Sequence, residues 1–128
     1  MARIDFNQEF NVIIVDVEIK DSDKTVRTKM ALDTGATYVM ITWEIAQSLG
    51  LRPELSNETI EIITASGVEK VPAVILRSIT VAGKEARDIK AVVHDLPPKS
   101  YIDGLLGLSF LRNFNVHLNF KANNLEID

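Results

Sequence analysis

The residues of this chain that are best suited to chemistry lie in one short segment, Ala31-Leu32-Asp33-Thr34-Gly35-Ala36-Thr37. An acidic residue, Asp33, follows an apolar stretch, and a glycine stands two positions further on. Gly35 permits a sharp turn and a close approach by another segment, because it has no Cβ. Backbone N–H groups in such a turn can donate to a carboxylate, and the Thr34 hydroxyl can bridge to neighbouring backbone. The pattern predicts a rigidly held carboxylate at the end of a strand, which suits general acid–base chemistry.

The same tripeptide also has an ordinary explanation as an Asp-Gly-type turn. At average residue usage, Asp-Ser/Thr-Gly occurs by chance in on the order of one chain in twenty of this length. The tripeptide alone therefore does not distinguish a catalytic carboxylate from a simple turn, and the elements around it have to be considered.

These elements are short β-strands joined by turns. Residues 11–20 are β-branched and then alternate apolar with charged, which predicts a strand, and residues 25–32 are its predicted hairpin partner. Further strands are predicted over residues 38–41, 59–64, 68–76, 78–81, 85–93, 115–120 and 125–127. Many short strands with few helices are typical of an all-β fold, here a closed or partly closed barrel.

Two short helices complete the predicted pattern. Thr42 is a predicted N-cap for a helix over residues 43–49, and Gly50 ends it. Ser109 is a predicted cap for a second helix that ends at Asn113. Neither segment is long enough to change the predicted fold class.

Composition excludes several classes of site. The chain has 128 residues and no cysteine, which suits one domain over residues 1–128 and excludes disulfide scaffolds, thiolate zinc sites and cysteine nucleophiles. Its formal net charge is -4, with 18 acidic and 14 basic residues interspersed, so we expect no nucleic-acid partner. His94 and His117 have no ligand-like spacing, and we expect no metal and no cofactor.

Apolar runs in the chain are short. The N-terminal residues lack the apolar region of a signal peptide. The run Val12 to Val15 is far too short to span a bilayer. We therefore expect no membrane segment in this chain and a cytoplasmic location, while excision from a longer or anchored precursor stays open.

Other polar and aromatic residues favour structural roles. Asp103 could be a second acid, but the pattern favours a turn residue that bonds nearby backbone amides. Ser66 and Ser109 have no nearby base in the sequence, so a serine hydrolase is not indicated. Trp43 is better explained as a core or interface anchor than as a stacking platform for substrate.

The Asp33 segment belongs to an ordered set of motifs. It lies between a hairpin and an apolar extended segment. A second hairpin, residues 59–76, has the small-residue tip Ala65-Ser66-Gly67, and Gly104-Leu105-Leu106-Gly107 then precedes a short helix. In this order, over about residues 12–127, the chain resembles the retropepsin-like family of aspartic proteases, of the cellular, prokaryotic type.

The resemblance implies a role for each of these positions. Asp33 would be the catalytic aspartate, and Thr34 would join two active-site loops through reciprocal hydrogen bonds. Gly35 would shape the loop, with Ala36 beside it. The flap tip over the substrate would consist of Thr64, Ala65, Ser66 and Gly67. The residues behind the loop would be Leu105, Leu106 and Gly107.

A single Asp-Thr-Gly implies two chains. Hydrolysis by this mechanism needs one carboxylate as a base on water and a protonated one to polarise the carbonyl. The resemblance therefore implies a homodimer in which two Asp33 carboxyls share a proton across a two-fold axis. The predicted function is an aspartic endopeptidase acting on peptide or protein substrates. The alternative is a non-catalytic dimerisation or peptide-binding module on the same fold.

Overall fold

The computed structural model describes residues 1–128 and contains ten strands, two short α-helices and one 3-10 turn. The strands are β1 Ala2–Asp5, β2 Ile14–Asp21, β3 Lys24–Leu32, β4 Val39–Ile41, β5 Thr59–Thr64, β6 Gly67–Val81, β7 Lys84–Val93, β8 Gly104–Leu106, β9 Val116–Asn119 and β10 Asn124–Ile127. The helices are α1 Trp43–Ser48 and α2 Leu108–Leu111, and the 3-10 turn is Pro53–Leu55. None of the helices is both long and apolar enough to cross a membrane.

Six of these strands close into a barrel. The main sheet has the order β2-β3-β8-β4-β7-β6-β5, and an additional pairing of β2 with β6 closes the ring and leaves β5 at an outer edge. The pairs β3–β8 and β4–β7 are parallel, whereas the hairpin pairs are antiparallel. The prediction of an all-β fold with a closed or partly closed barrel and short helices is confirmed, and the barrel is closed.

Strand β2 illustrates how alternation in the sequence forms the core. Val15, Val17 and Ile19 are buried, while Asp16 and Lys20 between and after them are exposed. Successive side chains of a strand point to opposite faces, so one face of β2 lines the barrel interior. Burying each such aliphatic side chain contributes roughly 1.5–3 kcal/mol relative to leaving it in water.

Helix α1 begins where the sequence predicts it. The Thr42 hydroxyl accepts a hydrogen bond from the Ile45 N–H at 3.2 Å, which satisfies one of the free donors of the first turn. Ala46 and Leu49 are buried against the barrel. Gly50 follows with a φ of 75°, in the left-handed region that glycine adopts without strain.

Three features of the strand pattern differ from the sequence-based expectation. β6 is one continuous strand rather than two separated at Arg77, because it pairs with β7 in the same register on both sides of Arg77, whose own N–H donates to Asp21 Oδ2 at 3.1 Å. β1, for which the sequence predicts no strand, pairs with β10 and forms a small sheet with β9. β8, also not predicted as a strand, lies between β3 and β4. All three differences depend on partners that are distant in sequence.

Thr42→Ala should lower the free energy of unfolding by about 1 kcal/mol, because the cap of α1 is lost. Urea denaturation of the variant and the parent protein would measure this. Ser48→Ala removes an exposed hydroxyl from the other end of α1 and should leave the denaturation midpoint unchanged. Equal midpoints for Thr42→Ala and the parent would contradict a stabilising cap.

Candidate active site

Asp33 lies at the end of β3, where its backbone is bonded on two sides. The Leu32 N–H donates to the Ile13 carbonyl at 2.8 Å, and the Asp33 N–H donates to the Leu106 carbonyl at 3.1 Å. Leu106 belongs to β8, which runs parallel to β3. The position of Asp33 is therefore determined by β8 and by the segment that leads into β2, both of which are far from it in sequence.

The carboxylate of Asp33 is oriented by the turn that follows it. The Gly35 N–H donates to Asp33 Oδ1 at 2.9 Å, and the Ala36 N–H donates to the Asp33 carbonyl at 3.2 Å. A Cβ at position 35 would lie 3.3 Å from the same Oδ1. Glycine thus leaves space beside a carboxylate that is half-buried and still open to the cleft.

The loop after Asp33 is bound by backbone hydrogen bonds to the start of α2. The Leu108 N–H donates to the Ala36 carbonyl at 2.8 Å, and the Ser109 N–H donates to the Thr37 carbonyl at 3.0 Å. A Cβ on Gly107 would lie 2.7 Å from the Ala36 carbonyl oxygen and would also collide with the Tyr38 carbonyl oxygen. Only a residue without a side chain permits this approach.

Ser109 has a role that the sequence did not reveal. Its hydroxyl accepts from the Val39 N–H at 2.8 Å and donates to the Lys90 carbonyl at 2.7 Å. The N-cap of α2 is Gly107, so the prediction that Ser109 caps this helix is wrong. Its hydroxyl instead joins β4, β7 and α2, three elements whose proximity no local pattern indicates.

A cleft of about 410 Å³ opens above Asp33. One wall is the Asp33 loop with parts of β4, β7 and β8, and the opposite wall is the β5 strand of the second hairpin. Apolar residues form most of the surface. The lining residues are Asp33, Gly35, Ala36, Thr37, Tyr38, Met40, Ile60, Glu61, Ile62, Ile63, Val92 and Leu105. We call this space the Asp33 cleft.

The predicted site residues fall into three groups. Asp33, Gly35, Ala36 and Leu105 line the Asp33 cleft. Leu106 is buried behind the loop, and Gly107 contacts the loop backbone. Thr34 is exposed and faces away from the cleft, into a separate apolar groove.

The predicted flap tip is the turn of the β5–β6 hairpin, outside the set of lining residues. Thr64 pairs with Gly67, with Ala65 and Ser66 between them. The Thr64 hydroxyl donates to the Gly67 carbonyl at 3.1 Å and accepts from the Ser66 N–H at 3.2 Å, which closes the turn. The strand below this tip, not the tip itself, forms the wall opposite Asp33.

The apolar walls of the cleft are what sequence reasoning missed. Met40 pairs with Val92 of β7 and with Leu105 of β8, so three strands bring one apolar surface together. Ile60 and Ile62 face it from β5. Alternation marks these residues as lying on one face of a strand, but only the register between strands identifies that face as the cleft.

Asp103 lies outside the Asp33 cleft. Its Oδ2 accepts from the Lys29 N–H at 2.8 Å, and its own N–H donates to the Lys29 carbonyl at 2.7 Å. Asp103 therefore accepts a hydrogen bond from a backbone amide, which is a structural role. The amide belongs to Lys29 of β3, and not to the residues that directly follow Asp103 as the sequence predicts. No group of three or more His, Cys, Asp or Glu side chains could hold a metal ion.

Ser109→Ala should lower the free energy of unfolding by about 1–3 kcal/mol, because the Val39 N–H and the Lys90 carbonyl would lose their partner in a partly buried position. Denaturant unfolding measures this change, with Ser48→Ala as the control for loss of an exposed helical hydroxyl. A loss no larger than that of the control would show that water replaces the hydroxyl without penalty.

Comparison with known proteins agrees with this architecture. A family model described as aspartyl protease matches residues 15–110. The crystal structure of a retropepsin-like aspartic protease from Rickettsia conorii superposes with a TM-score of 0.71 at 28% identity, covering 96% of this chain and 94% of that chain.

Two curated relatives carry no assigned function. An uncharacterised protein from the cobV 5' region of Sinorhizobium sp is 36% identical over 83 residues, which are 64% of this chain and 34% of that protein. An uncharacterised protein of Rickettsia prowazekii (strain Madrid E) is 36% identical over 90 residues, 70% of this chain and 37% of that protein. The matched part is thus about a third of the length of either relative. The family match over residues 15–110, together with the barrel and its structural neighbour, shows that this chain belongs to the aspartyl protease family and has a retropepsin-like fold.

Proposed function

We propose that this chain is an aspartic endopeptidase that hydrolyses peptide bonds with a water activated between two Asp33 carboxylates, one from each subunit of a homodimer. The observation that carries the proposal is the setting of Asp33. Its carboxylate is half-buried, oriented by the Gly35 N–H at 2.9 Å, and open to a largely apolar cleft of about 410 Å³. A carboxylate with no structural partner beyond its own turn is available for chemistry.

The chemistry requires the two carboxyls to differ in protonation. Two carboxyls that approach to about 3 Å cannot both ionise, so the pair holds one proton and titrates as a unit. The ionised carboxylate removes a proton from water, which attacks the peptide carbonyl carbon, while the protonated carboxyl donates to the carbonyl oxygen. Transfer of a proton to the amide nitrogen then accompanies cleavage of the C–N bond.

A surface that adjoins Asp33 supports pairing of two subunits. Thr34 is exposed at the edge of an apolar groove of about 260 Å³ on the side of the loop away from the cleft. The other residues of the groove are Leu32, Leu108, Leu111, Arg112, Phe114, Val116 and Leu118. A two-fold axis passing beside Thr34 would join like patches from both subunits and bring the two Asp33 side chains together.

The shape of the cleft favours an extended peptide. β5 pairs only with β6, so its outer edge offers free backbone donors and acceptors to a peptide that lies as an added strand. Met40, Ile60, Ile62 and Val92 would receive alternate apolar side chains of such a peptide. The tip residues from Thr64 to Gly67 would then close over the peptide and exclude water.

Asp33→Asn should abolish peptide cleavage while leaving the fold and the dimer intact. A diverse peptide mixture, incubated from about pH 3 to 7 because catalysis by a carboxylic acid and a carboxylate depends on pH, would be analysed for cut sites by mass spectrometry. Asp23→Asn is the matched control, because this carboxylate lies in the exposed turn between β2 and β3 and should retain full activity. An Asp33→Asn protein that still cleaves would refute the mechanism. Peptide binding without turnover, insensitive to pH, would instead favour a non-catalytic binding module.

Mixing subunits tests the second carboxylate directly. Equal amounts of parent and Asp33→Asn protein, allowed to exchange, should lower the activity per parent subunit to about half, because random pairing of a two-fold dimer puts half of the parent chains into mixed dimers. Peptide cleavage before and after exchange gives this ratio. Activity per parent subunit that stays constant would mean that one chain suffices.

A further inference from the structure

Beyond its own ladder, the distal part of the β5–β6 hairpin is joined to the barrel by one side-chain hydrogen bond. We call residues 60–70 the outer hairpin. Their backbone groups pair only within the β5–β6 ladder, from Ile60↔Val71 to Thr64↔Gly67. Apart from the ladder itself, the hydrogen bond between His94 Nε2 and Glu69 Oε2, at 2.9 Å, is the single one that connects these residues to the rest of the chain.

The base of the hairpin, by contrast, is firmly attached. The Ala73 N–H donates to the Glu58 carbonyl at 3.0 Å, and Val71 is only 3% exposed. Lys90 of β7 donates to Glu58 Oε2 at 2.8 Å, and this hydrogen bond raises the pKa of Lys90 above its ordinary value. If the outer hairpin moves, it therefore pivots near Val71. The Glu69–His94 contact lies between this pivot and the tip of the hairpin.

The two partners of the contact lie on opposite sides of the Asp33 cleft, Glu69 on the hairpin and His94 on the barrel. Glu69 pairs across the ladder with Ile62, which lines the Asp33 cleft opposite the catalytic loop. His94 directly follows β7, and its N–H donates to the Ile41 carbonyl of β4 at 3.0 Å. The backbone of His94 is thus fixed to the barrel wall, whereas the Glu69 carboxylate belongs to the wall formed by the hairpin.

We propose that Glu69 and His94 are positioning residues, whose contact holds the outer hairpin against the Asp33 cleft before a peptide arrives. This inference rests on the proposed peptidase function. A hairpin that is already in place removes part of the ordering cost that binding would otherwise carry. Loss of the contact should therefore weaken peptide binding and raise KM, while kcat stays near the parent value, because a bound peptide itself closes the hairpin.

The test combines hydrogen exchange with kinetics. In Glu69→Ala and in His94→Ala, amides of residues 60–70 in the free protein should exchange roughly twofold to fivefold faster, the range expected for a partly exposed side-chain pair, and KM should rise by a similar factor. The double variant should behave like either single variant, because both remove the same contact. Glu69→Gln keeps an oxygen that can accept from the imidazole and should recover much of the parent behaviour.

Lys70→Gln is the matched control. It removes a charge from the neighbouring residue of the same strand, where no salt bridge or hydrogen bond is lost. Its exchange rates and KM should equal those of the parent protein. The proposal would be overturned if Lys70→Gln raised exchange and KM as much as Glu69→Ala does. It would also be overturned if the effects of the two single variants added up in the double variant, or if Glu69→Ala left exchange unchanged. Hydrogen exchange is measured without peptide, so it tests the Glu69–His94 contact even if the parent protein cleaves nothing. A parent protein that cleaves nothing would contradict the proposed peptidase function alone.

Discussion

The backbone of the Asp33 loop is bonded directly to the backbone of β8 and α2, and this contact requires glycine at position 107. The Asp33 N–H reaches the Leu106 carbonyl, and the Ala36 carbonyl accepts from Leu108. Side chains between the two segments would prevent these bonds, as the collision of a Cβ at Gly107 with two carbonyl oxygens demonstrates. The carboxylate consequently projects from a segment held by main-chain bonds, whose geometry does not depend on flexible side chains.

The closed barrel is the means by which distant segments reach this loop. β8 pairs with β3 in parallel and with β4 in antiparallel orientation, so it lies between the strand before Asp33 and the strand after it. Parallel neighbours need a long connection, and the chain supplies it by first building the β5–β6 hairpin and β7. The segment that makes this long connection is also the one that forms the opposite wall of the cleft.

The two walls of the Asp33 cleft differ in how they are held. The Asp33 loop is fixed by several backbone hydrogen bonds and by the Ser109 hydroxyl. The outer hairpin has its own ladder and the Glu69–His94 contact. In the proposed peptidase, rigid placement would suit a carboxylate that meets a second carboxyl at close range, whereas a wall that admits and releases peptides would need a lower barrier to opening.

Local patterns in the sequence determined most of the strands, though not β1 or β8, together with the Thr42 cap and the turn at Gly35, because alternation, capping and tight turns act within a few residues. The order of motifs also identified the family. Tertiary structure alone decided that Met40 and Val92 share the cleft surface and that the Ser109 hydroxyl joins three elements. It also decided that β6 continues past Arg77. Each of these depends on strand register and on partners far along the chain, and a shift of one residue would reverse every side chain of a strand.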